Sequence, residues 1–419
     1  MIKKQKNPDR IQEPSRWLYG SLTRLAGFLL HLLFRLRIDV DPAVNHIQGP
    51  VVLIGNHPSY LDPLIMAVAI RPRQAHFLAT REFFRKNPLK SLLMRLGAIP
   101  KTQFRTDMQS VRNILSILHG GGWIALYPEG QRSIDGRSQA IDVSLAKLIY
   151  KAKPTVVLVK EQGAYLAWPR WSKSGMRFGP IHASVRVLLT PDQIPDYSAD
   201  AIHQLITDQL MHNEYEGQKL VNGTYRTLAP AYGLHLVCHQ CPACEKELAV
   251  QSGWHSWHCR LCGSKGRMDL NGRIRYGKSS QTHLDMNRQI FSSVAEWHEW
   301  QVDKLRQALR TDSFERSFDA ILETTGGVVN QRWKPGKLVI TRSRLMFFQR
   351  QKDKLESVPV LDISLENRLG ISAFFGKYIE IAYGDQDYRL TIDPGQAVIM
   401  IADLIQAQDA VRDHKKQDL

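Results

Sequence analysis

Acidic side chains are scarce in this chain relative to basic ones. Asp and Glu number 40 against 56 Lys and Arg, which leaves a formal net charge of +16. Such an excess must face something anionic, namely membrane phosphates, nucleic acid or a phosphorylated substrate. The chain also lacks internal repeats and low-complexity tracts, which excludes solenoid and compositionally disordered classes.

Cysteine is confined to one short segment. All five cysteines lie between Cys238 and Cys262, and we recognise no cleavable signal peptide. An odd number in one tight cluster argues against a disulfide framework, so we expect a reducing, cytosolic compartment.

No uninterrupted apolar run is long enough to span a bilayer comfortably. The most apolar segment, residues 17–36, is interrupted by Arg24, His31 and Arg35, and several Lys and Arg residues precede it. An amphipathic helix lying in the membrane interface fits this pattern better than a spanning one. A core helix of the first domain is the alternative.

The remaining composition is that of a folded protein with two or three domains, since 43% of residues are hydrophobic and 23% are charged. From residue 50 to about 215, short apolar strands alternate with amphipathic helices, which predicts an α/β sheet with flanking helices. Helical spacing returns over residues 287–310. From about residue 316 the pattern becomes β, with a last helix near residues 396–408, which predicts a small second α+β domain.

Basic residues concentrate between residues 71 and 112, where they alternate with Phe and Leu side chains. They are Arg71, Arg73, Arg81, Arg85, Lys86, Lys90, Arg95, Lys101, Arg105 and Arg112. This mixture suits a surface that meets lipid headgroups, although a solvated surface has the same composition.

A His-x4-Asp element, His57 to Asp62, directly follows the apolar run Val51–Ile54. A carboxylate can fix the tautomer and orientation of an imidazole, whose other nitrogen then takes a proton from an alcohol. A turn histidine followed by a helix-capping aspartate would have the same spacing.

A second polar segment, Tyr-Pro-Glu-Gly-Gln-Arg-Ser at residues 127–133, also follows a predicted strand. Proline and glycine favour a tight turn, and Arg132 there can bind a phosphate through two hydrogen bonds. Glu129 can hold the turn or bind a polar substrate group. An ordinary polar loop is the alternative.

Together the two segments resemble the conserved blocks of the glycerolipid acyltransferases, the 1-acylglycerol-3-phosphate acyltransferase family. Their order and separation match, as do Leu-Gly-Ala-Ile-Pro at 96–100 and Lys-Pro-Thr-Val-Val at 153–157. The resemblance covers roughly residues 40–210. It implies that a fatty acyl group passes from acyl-CoA or acyl carrier protein to the free hydroxyl of a lysophospholipid.

The resemblance also implies roles for individual residues. His57 would be the general base, Asp62 would orient it, and Glu129, Gly130 and Arg132 would bind the glycerol phosphate. No acyl-enzyme is expected. The chain departs from the family at Gln131, where the family has threonine, and in its second block, where either Lys101 or Arg105 would contact the phosphate.

The cysteines have the spacing C-x2-C-x14-C-x2-C, formed by Cys241, Cys244, Cys259 and Cys262. This spacing is typical of a zinc ribbon with a structural Zn²⁺, because four thiolates leave no open coordination position for catalysis. Cys238 is left over and would compete with Cys241 only in a shifted register. The β segments at 336–348 and 358–363 resemble a GRAM or PH-like domain, with a solvated hairpin as the alternative.

We therefore expect a membrane-surface enzyme of α/β class with two smaller modules, on the cytoplasmic face of the cell membrane and bound peripherally or monotopically. Its partners would be membrane lipids, a lysophospholipid acceptor and an acyl thioester donor. No nucleic acid is expected, because the basic residues concentrate near the acyltransferase blocks. The alternatives are another lysophospholipid as acceptor and a non-catalytic lipid-binding scaffold.

The predicted segments are residues 1–40 (interfacial membrane-anchoring helix), 41–215 (acyltransferase domain), 216–235 (linker), 236–277 (zinc ribbon), 278–315 (helical connector) and 316–410 (GRAM/PH-like domain).

Overall fold

The computed structural model divides the chain into two compact units. The first comprises residues 1–170 and 176–226, and the second residues 171–175 and 227–419. The residues that the structure describes are 11–84, 87–102, 107–221, 223–276, 289–311, 313–325, 331–333, 335–351, 354–365, 370–384 and 386–417. The division falls inside the segment predicted as a linker, residues 216–235, which begins within a helix.

The first unit is built on one sheet of seven strands in the order β1-β7-β6-β2-β5-β3-β4. The strands are β1 (Arg37–Val40), β2 (Val51–Gly55), β3 (His76–Thr80), β4 (Ile99–Lys101), β5 (Trp123–Leu126), β6 (Thr155–Gln162) and β7 (His182–Leu189). Strands β2 to β6 run parallel, whereas β7 is antiparallel to β6 and carries β1 at the edge. The predicted α/β sheet is confirmed.

Helices cover both faces of this sheet. They are α1 (Arg16–Phe34), α2 (Pro42–Asn45), α3 (Asp62–Ala69), α4 (Asn87–Arg95), α5 (Met108–His119), α6 (Ser144–Ala152), α7 (Ala164–Ala167), α8 (Ala199–Leu210) and α9 (Glu214–Val221). Alternate residues of β2 serve the two faces: Val52 and Ile54 pack with α5, α6 and α8, and Val51 and Leu53 pack with α3. Burial on both faces explains the continuous apolar character of the central strands.

Two edge strands, β1 and β4, were not predicted from the sequence. β1 has no buried side chain, and β4 is only three residues long with Ile99 buried. β1 has four residues, so both strands are at or below the shortest run by which a strand is recognised, and pairing with a neighbour defines them.

Helix α1 is long and apolar enough, by length and composition alone, to cross a membrane. Its length therefore does not exclude a span, contrary to the expectation from the sequence. However, one face of α1 is buried within the first unit through Tyr19, Thr23, Leu30 and Phe34. One face of α1 is thus packed on protein and the other is exposed; that this helix lies in a membrane interface stays a prediction.

The second unit contains a four-stranded antiparallel sheet formed by β8 (Val250–Ser252), β9 (Ser256–Cys259), β10 (Lys265–Met268) and β11 (Ile274–Tyr276). Helix α10 (Val294–Ala308) follows and is shorter than the predicted helix over 287–310. Ser293 fixes its start, because the Ser293 hydroxyl accepts a hydrogen bond from Glu296 N and the Glu296 carboxylate accepts from Ser292 N, an arrangement close to a capping box.

The rest of the second unit is a predominantly antiparallel β structure followed by α11 (Ala397–Gln417). Its strands are β12 (Glu315–Thr325), β13 (Gly336–Thr341), β14 (Arg344–Gln351), β15 (Lys354–Leu355), β16 (Leu361–Ser364), β17 (Gly370–Phe374), β18 (Tyr378–Tyr383) and β19 (Gln386–Asp393). Strands followed by one helix agree with the predicted α+β pattern. That this is a GRAM or PH-like domain stays a prediction.

Candidate active site

The carboxyl ends of three adjacent parallel strands bring the predicted site residues together. Strand β2 lies between β5 and β6, and His57 follows β2 while the 127–133 segment follows β5. The carboxyl edge of such a sheet is where α/β proteins assemble their sites. Two segments 70 residues apart in the chain therefore form one loop cluster.

His57 and Asp62 form a hydrogen-bonded pair. His57 Nδ1 lies 2.8 Å from Asp62 Oδ2, and Ser59 N donates to the same oxygen at 2.8 Å. Asp62 is fully buried at the first position of α3. Because a carboxylate only accepts, Nδ1 carries the proton and Nε2 is left with its lone pair.

The surroundings of His57 keep its ring neutral. Burial lowers the pKa of His57 below its ordinary value of 6.5; Asp62 opposes this shift, and the positive charges of Arg132 and Arg170 add to it. The ring also stacks on Tyr127, with ring centroids 4.2 Å apart. A neutral imidazole with a free Nε2 can accept a proton at neutral pH.

Glu129 joins the two loops. Its Oε1 accepts a hydrogen bond from His57 N at 2.9 Å, and its Oε2 accepts from Gln139 N at 2.8 Å. Ser133 N donates to the carbonyl of His57 at 2.8 Å, which adds a second link between the two loops. Burial raises the pKa of Glu129 to about 7 against these hydrogen bonds. Glu129 thus has the turn-holding geometry, and its predicted role in substrate binding stays a prediction.

Two arginines and a tyrosine lie beside His57. The Arg132 guanidinium stacks on the Tyr60 ring at 4.0 Å, and Arg170 donates to the carbonyl of Arg132 at 2.9 Å and to the Tyr60 side chain. Burial, and then the charge of Arg132, lower the pKa of Arg170 to about 10. The Nε atom of Arg132 is buried and has no hydrogen-bond partner among the described residues. Two repelling guanidinium groups held together in this way suit an anionic ligand.

The other residues predicted to bind the phosphate are Gly130, Lys101 and Arg105. Gly130 lies in the turn after β5 with φ +68°, the left-handed conformation that favours glycine. Lys101 ends the edge strand β4, three strands from β2, which corresponds to roughly 14 Å across the sheet. Arg105 lies outside the described residues.

Arg170 was not predicted from the sequence, because Trp-Pro-Arg at 168–170 matches none of the acyltransferase blocks and only folding brings Arg170 to Arg132.

The four cysteines predicted to bind zinc converge in the second unit. Their sulfur atoms all lie within 4.8 Å of one another. Cys241 Sγ is 3.6 Å from Cys262 Sγ, and Cys244 Sγ is 3.7 Å from Cys259 Sγ. Sulfurs around a tetrahedral Zn²⁺ with bonds of about 2.3 Å are about 3.8 Å apart, so this donor set fits the ion. Cys238 lies outside this group of four.

Comparison with known proteins agrees with the geometry of the first unit. Residues 37–160 match the family model described as Acyltransferase. The chain is 26% identical over 82 residues to the 1-acyl-sn-glycerol-3-phosphate acyltransferase of Bacillus subtilis (strain 168), which covers 20% of this chain and 41% of that protein. It is 26% identical over 164 residues to a 1-acyl-sn-glycerol-3-phosphate acyltransferase of Chlamydomonas reinhardtii, which covers 38% and 48% respectively.

The chain thus spans less than half the length of each of these two relatives. Among solved structures, the 1-acyl-sn-glycerophosphate acyltransferase of Thermotoga maritima aligns with 49% of this chain and 80% of its own, at 16% identity and a TM-score of 0.41. The family model includes β2, the His57–Asp62 pair and the 127–133 loop. Residues 37–160 of the chain are therefore similar to the acyltransferase family.

Proposed function

We propose that this protein transfers a fatty acyl group from acyl-CoA or acyl carrier protein to the free hydroxyl of 1-acylglycerol 3-phosphate, which gives phosphatidic acid. The observation that carries the proposal is the His57–Asp62 pair, with its free Nε2, beside the two arginines. A base alone would suit many hydrolases. A base beside an anion site suits an acceptor that has both a hydroxyl and a phosphate.

The proposed reaction is one displacement at the thioester carbonyl. His57 Nε2 takes the proton of the acceptor hydroxyl as its oxygen bonds to the carbonyl carbon. The tetrahedral intermediate then expels the thiolate with cleavage of the C–S bond, and the imidazolium returns the proton to give a free thiol. Asp62 stabilises the imidazolium between the two proton transfers.

The direct test is an acceptor panel with both thioester donors. We expect purified full-length protein to release free thiol only when a lysophospholipid is present, and fastest with 1-acylglycerol 3-phosphate. A faster rate with a lysophospholipid that lacks a terminal phosphate would replace the acceptor. No thiol release with any acceptor would refute the proposed function and favour a lipid-binding scaffold.

Arg132 gives the proposed acceptor its phosphate contact. We expect Arg132→Met to raise KM for 1-acylglycerol 3-phosphate by about 10- to 100-fold with little change in kcat, because a hydrogen bond to a charged group contributes roughly 1.5–3 kcal/mol. Initial rates over a series of acceptor concentrations measure both constants. Arg226→Met, which removes an exposed arginine of the same unit, is the matched control and should leave KM unchanged. Equal KM values for the two variants would exclude Arg132 as the phosphate contact.

We further propose that the first unit lies on the cytoplasmic face of the cell membrane through α1 and α4. Leu25, Phe28 and Leu32 form an apolar row on α1, and each is more than half exposed. Helix α4 buries none of its side chains and combines Leu89 and Leu92 with basic residues. Ser15 N donates to the carbonyl of Arg95, so the start of α1 meets the end of α4. An apolar surface with basic residues at its edge suits an anionic lipid interface.

The triple variant Leu25→Glu/Phe28→Glu/Leu32→Glu tests this surface. We expect its partition onto anionic vesicles to fall by at least about tenfold, because each buried apolar side chain contributes roughly 1.5–3 kcal/mol. Vesicle flotation measures the bound fraction. The variant Tyr150→Glu/Met211→Glu, which adds charge at exposed positions elsewhere in the first unit, is the control. Unchanged flotation of the triple variant would assign membrane binding to another surface.

Finally, we propose that Cys241, Cys244, Cys259 and Cys262 hold one structural Zn²⁺. The fit of the four sulfur positions to tetrahedral coordination supports this. The bound ion would cross-link the loop before β8 to the loop after β9. Its role is to stabilise a small segment that has little core of its own.

A further inference from the structure

Glu161 is a fully buried carboxyl group beside the loop cluster of the first unit, and it has no part in the acyl-transfer step proposed above. It is the penultimate residue of β6, the strand on the other side of β2 from β5. The side chain of Asn56 brackets its backbone: Asn56 Nδ2 donates to the carbonyl of Glu161, and Glu161 N donates to Asn56 Oδ1, both at 2.8 Å. The position of Glu161 relative to β2 is therefore fixed.

Four buried oxygens around Glu161 lack an ordinary hydrogen-bond partner. They are both carboxyl oxygens of Glu161, Oδ1 of Asp62 and the hydroxyl oxygen of Tyr127, as judged over the described residues. Buried polar atoms in proteins are almost always paired. Within the described part of the chain, no N–H group reaches Asp62 Oδ1 or the carboxyl oxygens of Glu161. The Asp62 and Glu161 side chains interact with each other, so two carboxylates there would repel. A proton on one of them converts the repulsion into a hydrogen bond.

Glu161 is the member of the pair that holds this proton. Burial raises the pKa of Asp62, but Asp62 accepts two hydrogen bonds through Oδ2, from His57 and Ser59, and these favour its ionised form. The carboxyl oxygens of Glu161 have no such donor among the described residues. Burial, and then the charge of Asp62, raise the pKa of Glu161 well above its ordinary value, and the carboxylate of Glu214 adds to this shift.

We propose that Glu161 is a positioning residue: as a neutral carboxylic acid it donates a hydrogen bond to Asp62 Oδ1 and holds the Asp62 carboxylate so that Oδ2 accepts from His57 Nδ1. Asp62 then has both oxygens engaged, and its carboxylate plane cannot rotate away from the imidazole. Glu161 touches neither substrate nor reacting atoms. Its effect on acyl transfer rests on the proposed role of His57 as the base.

The kinetic test compares two substitutions in the full-length protein. Glu161→Gln keeps a neutral donor of the same shape, and we expect kcat within about twofold of wild type. Glu161→Leu removes the donor, and we expect kcat to fall about 10- to 100-fold with KM for the acceptor nearly unchanged. Without the donor, Asp62 becomes more basic and stabilises the His57 imidazolium. The acid limb of the pH profile of kcat/KM should therefore move to higher pH in Glu161→Leu and stay in place in Glu161→Gln. The charged and titratable groups that face Glu161 are Asp62, Glu214 and Tyr127.

Lys160→Met is the matched control. Lys160 precedes Glu161 on β6, and its ammonium group donates to the carbonyls of Gln209 and Met211. We expect wild-type kcat and an unmoved acid limb. If Glu161→Leu lowered only the folded fraction, with an unmoved acid limb, Glu161 would be merely structural and the inference would be wrong. An equal loss of kcat in Glu161→Gln and Glu161→Leu would also overturn it.

A second readout does not depend on enzymatic activity. The infrared difference spectrum of wild type minus Glu161→Gln at neutral pH should contain the C=O stretch of a protonated carboxylic acid, shifted in D₂O. Absence of this band would overturn the inference even if acyl transfer is observed. Conversely, a wild-type protein that has the band but acylates no lysophospholipid would refute the proposed function and leave the Glu161–Asp62 hydrogen bond in place.

Discussion

His57→Ala should reduce thiol release by about 10²- to 10⁴-fold, the range expected when a general base is removed. The hydroxyl of a lysophospholipid is too weakly acidic to attack a thioester without losing its proton, and His57 Nε2 is the free base beside the proposed anion site. KM for the acceptor should change little, since the arginines remain. Because the protein has five thiols of its own, radiolabelled phosphatidic acid should be measured together with the released thiol.

The control for this prediction is a second histidine–aspartate pair in the same unit. His182 Nε2 lies 2.7 Å from Asp39 Oδ2, but this pair lies between the edge strand β1 and β7 rather than beside the arginines. His182→Ala should therefore retain the wild-type rate. A His57→Ala protein that is folded and as fast as His182→Ala would exclude His57 as the base.

Zinc removal is expected to have the second large effect. Elemental analysis should find about one zinc per chain, and Cys259→Ser should lose it. Structural zinc in finger peptides contributes apparent binding energies of about 10–16 kcal/mol at pH 7, so its loss should unfold the ribbon strands and lower the melting temperature. Calorimetry of the full chain, with and without a chelator, measures this change.

Cys238→Ala provides the control for the metal prediction. Cys238 is buried but lies outside the group of four sulfurs, so its substitution should leave the zinc content at about one per chain. Equal zinc loss in both variants would indicate the shifted register in which Cys238 replaces Cys241. A folded wild-type protein without metal would refute the zinc proposal.

The sequence predicted the features that are local in the chain. The His-x4-Asp spacing brings an imidazole and a carboxylate together at the start of α3, where the two groups pair at 2.8 Å. The C-x2-C-x14-C-x2-C spacing likewise led to a cluster of the same four sulfurs. The interiors of β2, β5 and β6 were recognisable because strands buried on both faces are continuously apolar.

Other features depended on contacts between distant segments. From the sequence, Glu129 was predicted either to bind substrate or to hold a turn. Only the fold shows that its two carboxylate oxygens accept hydrogen bonds from the backbone amides of His57 and Gln139. Arg170 reaches the site from beyond β6, and no motif identified it. The interrupted apolar run over residues 17–36 predicted an interfacial helix, but contact with the rest of the first unit decided which face of α1 is packed.

The sequence by itself thus determined the chemistry of the candidate active site, an imidazole with its carboxylate and an arginine on a tight turn, and separately that of a group of four cysteines in the second unit. The tertiary structure decided which buried groups surround that chemistry. Glu161 is the clearest case, because a glutamate near the end of a strand gives no sign of its partner in the sequence. The pairing of β6 with β2 brings the carboxyl groups of Glu161 and Asp62 into contact away from water. A proton shared between them removes the repulsion that two buried carboxylates would have.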